Sequence, residues 1–137
     1  MKAGPVIDRE TIDMLREMDE ITEDSDLLLE LIDDFLTHST LLVSDIHTHA
    51  HQEAQAELAA TSHSLKGASL NIGALLLFQV CDAIELMARN QQLAQAKMQL
   101  PALSDAFAST TAALAELRDR TNRGEMIDDL LGDNLLG

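Results

Sequence analysis

The sequence predicts an all-α protein, an up-and-down four-helix bundle with a short extra helix at its N-terminal end. Three observations carry that expectation. Glycine and proline are scarce, six and two in 137 residues, and the stretches between them are rich in the helix formers Ala, Leu, Gln and Glu. Alternating β-branched runs, the mark of strands, are few. Apolar residues recur at steps of three and four, so each long segment carries one stripe, and the connections between segments are short. Three Phe with no Trp or Tyr fit such a core, because Leu, Ile, Val and Ala can fill a bundle.

The first helix is expected from about Asp8 to Asp19, with Asp8 as its cap and Ile12, Leu15 and Met18 on one face. The cluster Glu23, Asp24, Ser25 and Asp26 offers an N-cap, and negative charge where a helix dipole favours it, for the second. There Leu28, Leu31, Ile32, Phe35, Leu42, Val43 and Ile46 form a stripe that runs to about Ala50. A third helix is expected from about Glu53 to Asn71, with Leu58, Leu65, Ala68 and Ile72 on its inner side. A fourth starts at Gly73 and turns Leu77, Val80, Cys81, Ile84 and Met87 inward. The last carries Leu100, Leu103, Phe107, Thr111, Leu114 and Leu117, and Pro101 either opens it or kinks it. One domain is expected over residues 1–120, followed by an acidic, mobile tail over 121–137.

The formal charge is −15, from 24 acidic and 9 basic residues. That argues against nucleic-acid and anionic-membrane partners, which are bound chiefly through Lys and Arg. No apolar run approaches the roughly 20 residues of a bilayer span, and Asp8, Glu10 and Asp13 interrupt any signal sequence. A lone Cys81 excludes an internal disulfide and reads as a packed core thiol, so a cytoplasmic setting follows. The charge is uneven: residues 1–60 sum to −12, residues 61–120 to zero and residues 121–137 to −3.

The balanced block holds the segment from His63 to Ala74. At 100° per residue Leu65 lies roughly opposite His63, so if Leu65 faces the core His63 faces solvent. Ala59, Ala60, Lys66, Gly67 and Leu70 share its face. This sets a nucleophile among small neighbours that let another protein approach, with a cation one turn away. A glycine inside a helix costs about 1 kcal/mol against Ala, and clearance for a docking partner would justify Gly67.

The segment resembles the signature of histidine-containing phosphotransfer (HPt) domains, H-x-L-K-G-x-x-x-x-x-G-A, matched by His63, Leu65, Lys66, Gly67, Gly73 and Ala74, with Ser62 where Ala is usual. The resemblance implies that His63 accepts a phosphoryl group from a receiver-domain aspartyl phosphate and passes it to another receiver. It implies that Lys66 is the stabilising cation, Gly67 the open docking patch and Gly73 the start of the next helix. Family members also carry Gln or Glu beside the histidine, commonly 22 residues later, here Glu85; its carboxylate would orient the imidazole. Arg89, one turn on, would pair with Glu85 or with an incoming phosphate. The partners implied are the receivers of a sensor (hybrid) histidine kinase and of a response regulator, the latter two bringing the Mg²⁺; no cofactor belongs to this chain. A phosphocarrier rather than an enzyme is expected, monomeric, and Met1 with a self-contained tail favours a free-standing chain. The alternative is a non-catalytic adaptor that binds a receiver through the same face.

Other chemistries find less support. His47 and His51 share a helical face, but no carboxylate or cysteine completes a zinc set, so surface histidines and no metal are expected. His38 is expected to be solvated. Glu-x-x-His is absent, as are a Gly-rich phosphate loop and the central Gly of a calcium loop in the run from Asp19 to Asp26. With no nucleotide site the chain is not the kinase that takes phosphate from ATP.

Overall fold

The computed structural model describes residues 6–22 and 27–123. Six helices lie among them: α1 (Arg9–Thr22), α2 (Leu27–His51), α3 (Gln55–Ile72), α4 (Leu75–Arg89), α5 (Leu93–Met98) and α6 (Leu100–Asn122). The long helices α2, α3, α4 and α6 form the bundle; α3 packs between α2 and α4, and α6 packs on α2 and α4. The expected all-α bundle with an N-terminal extra helix is therefore present, with α5 as an unforeseen sixth element. Six residues are too few to show a periodic stripe, and α5 buries fully only Ala96.

Three turns close by the same backbone device. Gly73 donates its N–H to the Leu70 carbonyl (3.1 Å) and Ala74 donates to Ser69 (2.8 Å), the paired bonds that finish a helix through a left-handed residue. Glu53 and Ala54 bond Ala50 and His49 in this way, and Gln91 and Gln92 bond Ala88 and Met87. The left-handed residues are Glu53, Gly73 and Gln91, with φ of 57°, 76° and 62°. Gly73 therefore ends α3 and does not start the following helix, which corrects the reading from the motif.

Why only one of the three is glycine follows from α1. A Cβ built on Gly73 would lie 2.8 Å from Thr11 Cβ, inside any tolerable carbon–carbon contact. The crossing is pinned by the Asp8 N–H donating to the Gly73 carbonyl (2.7 Å), and the Thr11 hydroxyl donates to the Asp8 carboxylate (2.7 Å) at the head of α1. At the other end of α1, the Asp19 carboxylate accepts the amides of Leu27 (2.9 Å) and Leu28 (3.3 Å). The first turn of α2 is thus capped from the preceding helix; the expected capping cluster 23–26 lies outside the described residues.

Helix faces follow the periodicity with local exceptions. Leu28, Ile32, Ile46, Leu58, Leu65, Leu77, Ile84, Leu103 and Leu114 are sealed in the core. Met18 is exposed rather than inward. On α6, Thr110 is buried with its hydroxyl bonded to the Ala106 carbonyl (2.7 Å), and Thr111 is only half-buried. Small residues, Ala106, Thr110 and Ala113, make up much of that buried face, and a stripe traced through large side chains drifts off it. Pro101 sits in the first turn of α6, where its missing N–H breaks no helical bond, so it opens the helix. The helix runs two residues past the expected boundary at 120, and the expected tail from 124 onward lies outside the described residues. Among the described residues no helix is long and apolar enough to cross a membrane.

Candidate functional site

The register of α3 against α4 brings His63 to Glu85. Nδ1 of the imidazole lies 3.1 Å from Oε2 and 3.3 Å from Oε1 of the carboxylate. The His63 side chain is 63 % exposed and that of Glu85 only 9 %, so the ring stands in solvent on a buried anchor. The same carboxylate holds two cations: Lys66 Nζ at 2.7 Å from Oε1 and Arg89 Nε at 2.9 Å from Oε2. Lys66 also reaches Asp82 Oδ1 at 3.3 Å. His63 and Lys66 come from one helix, and Asp82, Glu85 and Arg89 from the next.

These contacts fix protonation. Burial by itself would raise the Glu85 carboxyl, but hydrogen bonds from Lys66, Arg89 and His63 outweigh it and hold the group at about 2. The Lys66 ammonium is pushed up, chiefly by its hydrogen bond to Glu85, against some desolvation and with help from Asp82. An ionised carboxylate only accepts, so Nδ1 of His63 is the donor and carries the hydrogen. In the neutral ring the lone pair then sits on Nε2, the nitrogen that Glu85 does not engage. Burial pushes the nearby Cys81 thiol up to about 12, with the Glu85 charge adding to it, so that thiol is protonated core packing.

The surroundings match the expected docking face in part. Ala60, Gly67 and Leu70 are exposed, Leu70 by 55 %. Among the described residues a Cβ on Gly67 would meet nothing within 4 Å, so their packing does not require the glycine. Ala59 is only 5 % exposed and offers little surface, a correction to its expected place on the open face. It lines, with Gln55, Ala56, Ala88 and Arg89, a cleft of about 450 Å³ between α3 and α4. Its position one turn before His63 suggested exposure, but the turn of α3 brings that Cβ towards α4. Ser62, beside His63, is fully buried, and its hydroxyl has no partner.

Asp82 is the site residue that sequence reasoning missed. Its spacing to Glu85 and Arg89, three and seven residues, places it on their helical face and was the available signal. The remaining histidines stand apart from this constellation. His38 donates its Nδ1 hydrogen to the Asp34 carbonyl (2.8 Å), and His47 Nε2 lies 3.3 Å from the Ser104 hydroxyl. Among the described residues no three His, Cys, Asp or Glu side chains come together as a metal-holding group.

The site is thus an exposed histidine anchored on a buried carboxylate at the surface of a helical bundle. The chain belongs to the Hpt domain family, whose profile it matches over residues 30–123. It is similar in structure to histidine-containing phosphotransfer protein B (HptB) from Pseudomonas aeruginosa PAO1, known from a crystal structure. The TM-score is 0.74 at 28 % sequence identity, and the match covers 86 % of this chain and 98 % of that one. A search of curated proteins finds no match.

Proposed function

We propose that His63 is the phosphoacceptor of a phosphorelay, taking a phosphoryl group from the aspartyl phosphate of one receiver domain and passing it to the aspartate of another. The observation that carries this is the pairing of Nδ1 with the ionised Glu85 carboxylate while the ring remains exposed. In the accepting step the Nε2 lone pair attacks phosphorus, and the P–O bond to the aspartate breaks with its electron pair returning to that carboxylate. The Nδ1 hydrogen stays in place. The ring becomes cationic as the N–P bond forms, and Glu85 stabilises that charge. The reverse sequence on a second receiver regenerates neutral His63.

Lys66 shares the Glu85 carboxylate with His63, on the same helix three residues on, and is the cation we assign to the transferred group. Arg89 is committed to Glu85 and acts by holding it. The receivers are those of a hybrid sensor kinase and a response regulator, and the Mg²⁺ that the transfer needs belongs to their aspartate pockets. Ala60, Gly67 and Leu70 supply the surface on which they dock. The chain works as a cytoplasmic phosphocarrier.

The test is incubation with receiver domains charged by acetyl phosphate. Acid-labile, base-stable label is expected on the wild-type chain and none on His63→Gln, with the helical circular dichroism of that variant retained. Full labelling of His63→Gln would overturn the assignment. A wild-type chain that binds a charged receiver but stays unlabelled would make it an adaptor.

A further inference from the structure

Lys66 is shared between two carboxylates of different character. Glu85 is buried and already holds Arg89 and His63, so its charge is met three times over. Asp82 is 58 % exposed and meets the same ammonium from the solvent side at 3.3 Å. An ammonium has three N–H groups, and these two contacts occupy two of them. Asp82 and Glu85 together cancel Lys66 and Arg89, so the site is neutral before any phosphoryl group arrives. A phosphoryl group brings a charge of about −1.5 to −2.

We propose that Asp82 is a positioning residue that competes with the phosphoryl group for Lys66 and so keeps the phosphohistidine weakly held and ready to leave. This rests on the reading of His63 as the phosphoacceptor. Glu85 is replaceable as a Lys66 partner in the phosphorylated state, because the ring it anchors has then become cationic. Asp82 has no such compensation: when Lys66 turns to the phosphoryl oxygens, the exposed carboxylate loses its partner and faces a dianion. Removing its charge frees an N–H of Lys66 and leaves the site one unit more positive. The carrier would then store the phosphoryl group instead of releasing it.

The experiment uses the full chain, charged with phosphoramidate, freed of donor and mixed with an equimolar receiver domain that exchanges phosphate with it. Phosphate-affinity electrophoresis then reads the division of phosphoryl groups between the two proteins. Asp82→Asn, at an exposed position, is expected to shift that division about two- to fivefold toward phosphohistidine, as befits an exposed ion pair. The shift should shrink as salt is raised and vanish in a Lys66→Ala background. Asp105→Asn, an exposed carboxylate lost from α6, should leave the division unchanged. An unaltered division in Asp82→Asn overturns the proposal. So does an equal shift with Lys66 absent, which would mean direct repulsion without competition. If the wild-type chain takes no label from phosphoramidate or from any receiver, the phosphoacceptor reading itself falls; a labelled wild type with an unaltered Asp82→Asn refutes only the role of Asp82.

Discussion

Substituting Gly73 by Ala separates two reasons a helix can end in glycine. The left-handed backbone at φ 76° costs a residue with a Cβ roughly 1 kcal/mol or slightly more. This protein accepts that cost at Glu53 and Gln91, so backbone strain alone does not dictate Gly73. The larger effect is the new Cβ at 2.8 Å from Thr11 Cβ, with both other Thr11 side-chain atoms at 3.2 Å. Carbon atoms prefer about 3.5–4.0 Å, so α1 must back away by most of an ångström. Its Asp8 N–H bond to Gly73 and its packing of Ile12 are then disturbed. Overpacking of this kind costs about 1–3 kcal/mol. The two effects sum to about 2–4 kcal/mol, a large part of the 5–15 kcal/mol that holds a domain of this size.

Because the chain has no Trp or Tyr, the measurement is urea unfolding followed by helical circular dichroism. Gly73→Ala is expected to lower the unfolding free energy by about 2–4 kcal/mol and the melting temperature by roughly 8–15 °C. Gln91→Ala, in the same turn geometry but already bearing a Cβ, should change stability by less than about 1 kcal/mol. A double-mutant cycle with Thr11→Gly should recover about 1–3 kcal/mol of the Gly73→Ala loss as coupling. Well below the melting temperature, Gly73→Ala should still take up phosphoryl groups, because His63 and Glu85 lie 10 and 12 residues from the turn, within the packed span of α3 and α4. A loss below about 0.5 kcal/mol, or a cycle without coupling, would refute the assignment of this motif glycine to the α1 crossing.

Two further outcomes follow from the site. The Glu85 carboxyl is held at about 2 when folded and returns to about 4.5 when unfolded, so its contribution to stability is complete above pH 4.5 and is lost as pH falls through 2. The wild type should therefore lose about 1–3 kcal/mol more than Glu85→Gln over that window, after allowance for solvent around its partners; parallel acid-unfolding profiles would contradict this. Ser62→Ala should raise stability by about 1 kcal/mol, since the buried hydroxyl has no partner to lose, and a lowered melting temperature would show that the hydroxyl is bonded after all.

The bundle and the outward face of His63 were legible in the sequence because both rest on local periodicity. Leu65 in the core forces His63 outward on the same helix, whatever surrounds it. Features that depend on the register between helices were not legible. The contact of Lys66 with Asp82 joins residues 16 apart, and the Asp19 carboxylate caps a helix other than its own. Ala59 was misplaced for a related reason, since α4 decides which small residues of α3 stay open. Gly73 shows how a motif can be matched correctly while its physical meaning is missed: the spacing marks a helix boundary but does not say which helix the glycine closes or what crosses it.

The −15 charge of the chain bears on its site less through magnitude than through distribution. A buried carboxylate is ordinarily a liability unless fully paired, and Glu85 is paired three times, which makes it a stable anion at any pH the cell offers. On the proposed reading of His63 as phosphoacceptor, that constancy lets one anchor serve the neutral ring before transfer and the cationic ring after it. Gly67 complements this from the outside. It weakens α3 by about 1 kcal/mol and relieves no contact among the described residues, which fits the proposed docking of a partner on this face. A fixed internal anion and an open external patch meet at His63, and together they account for a histidine that is oriented from beneath and reachable from above.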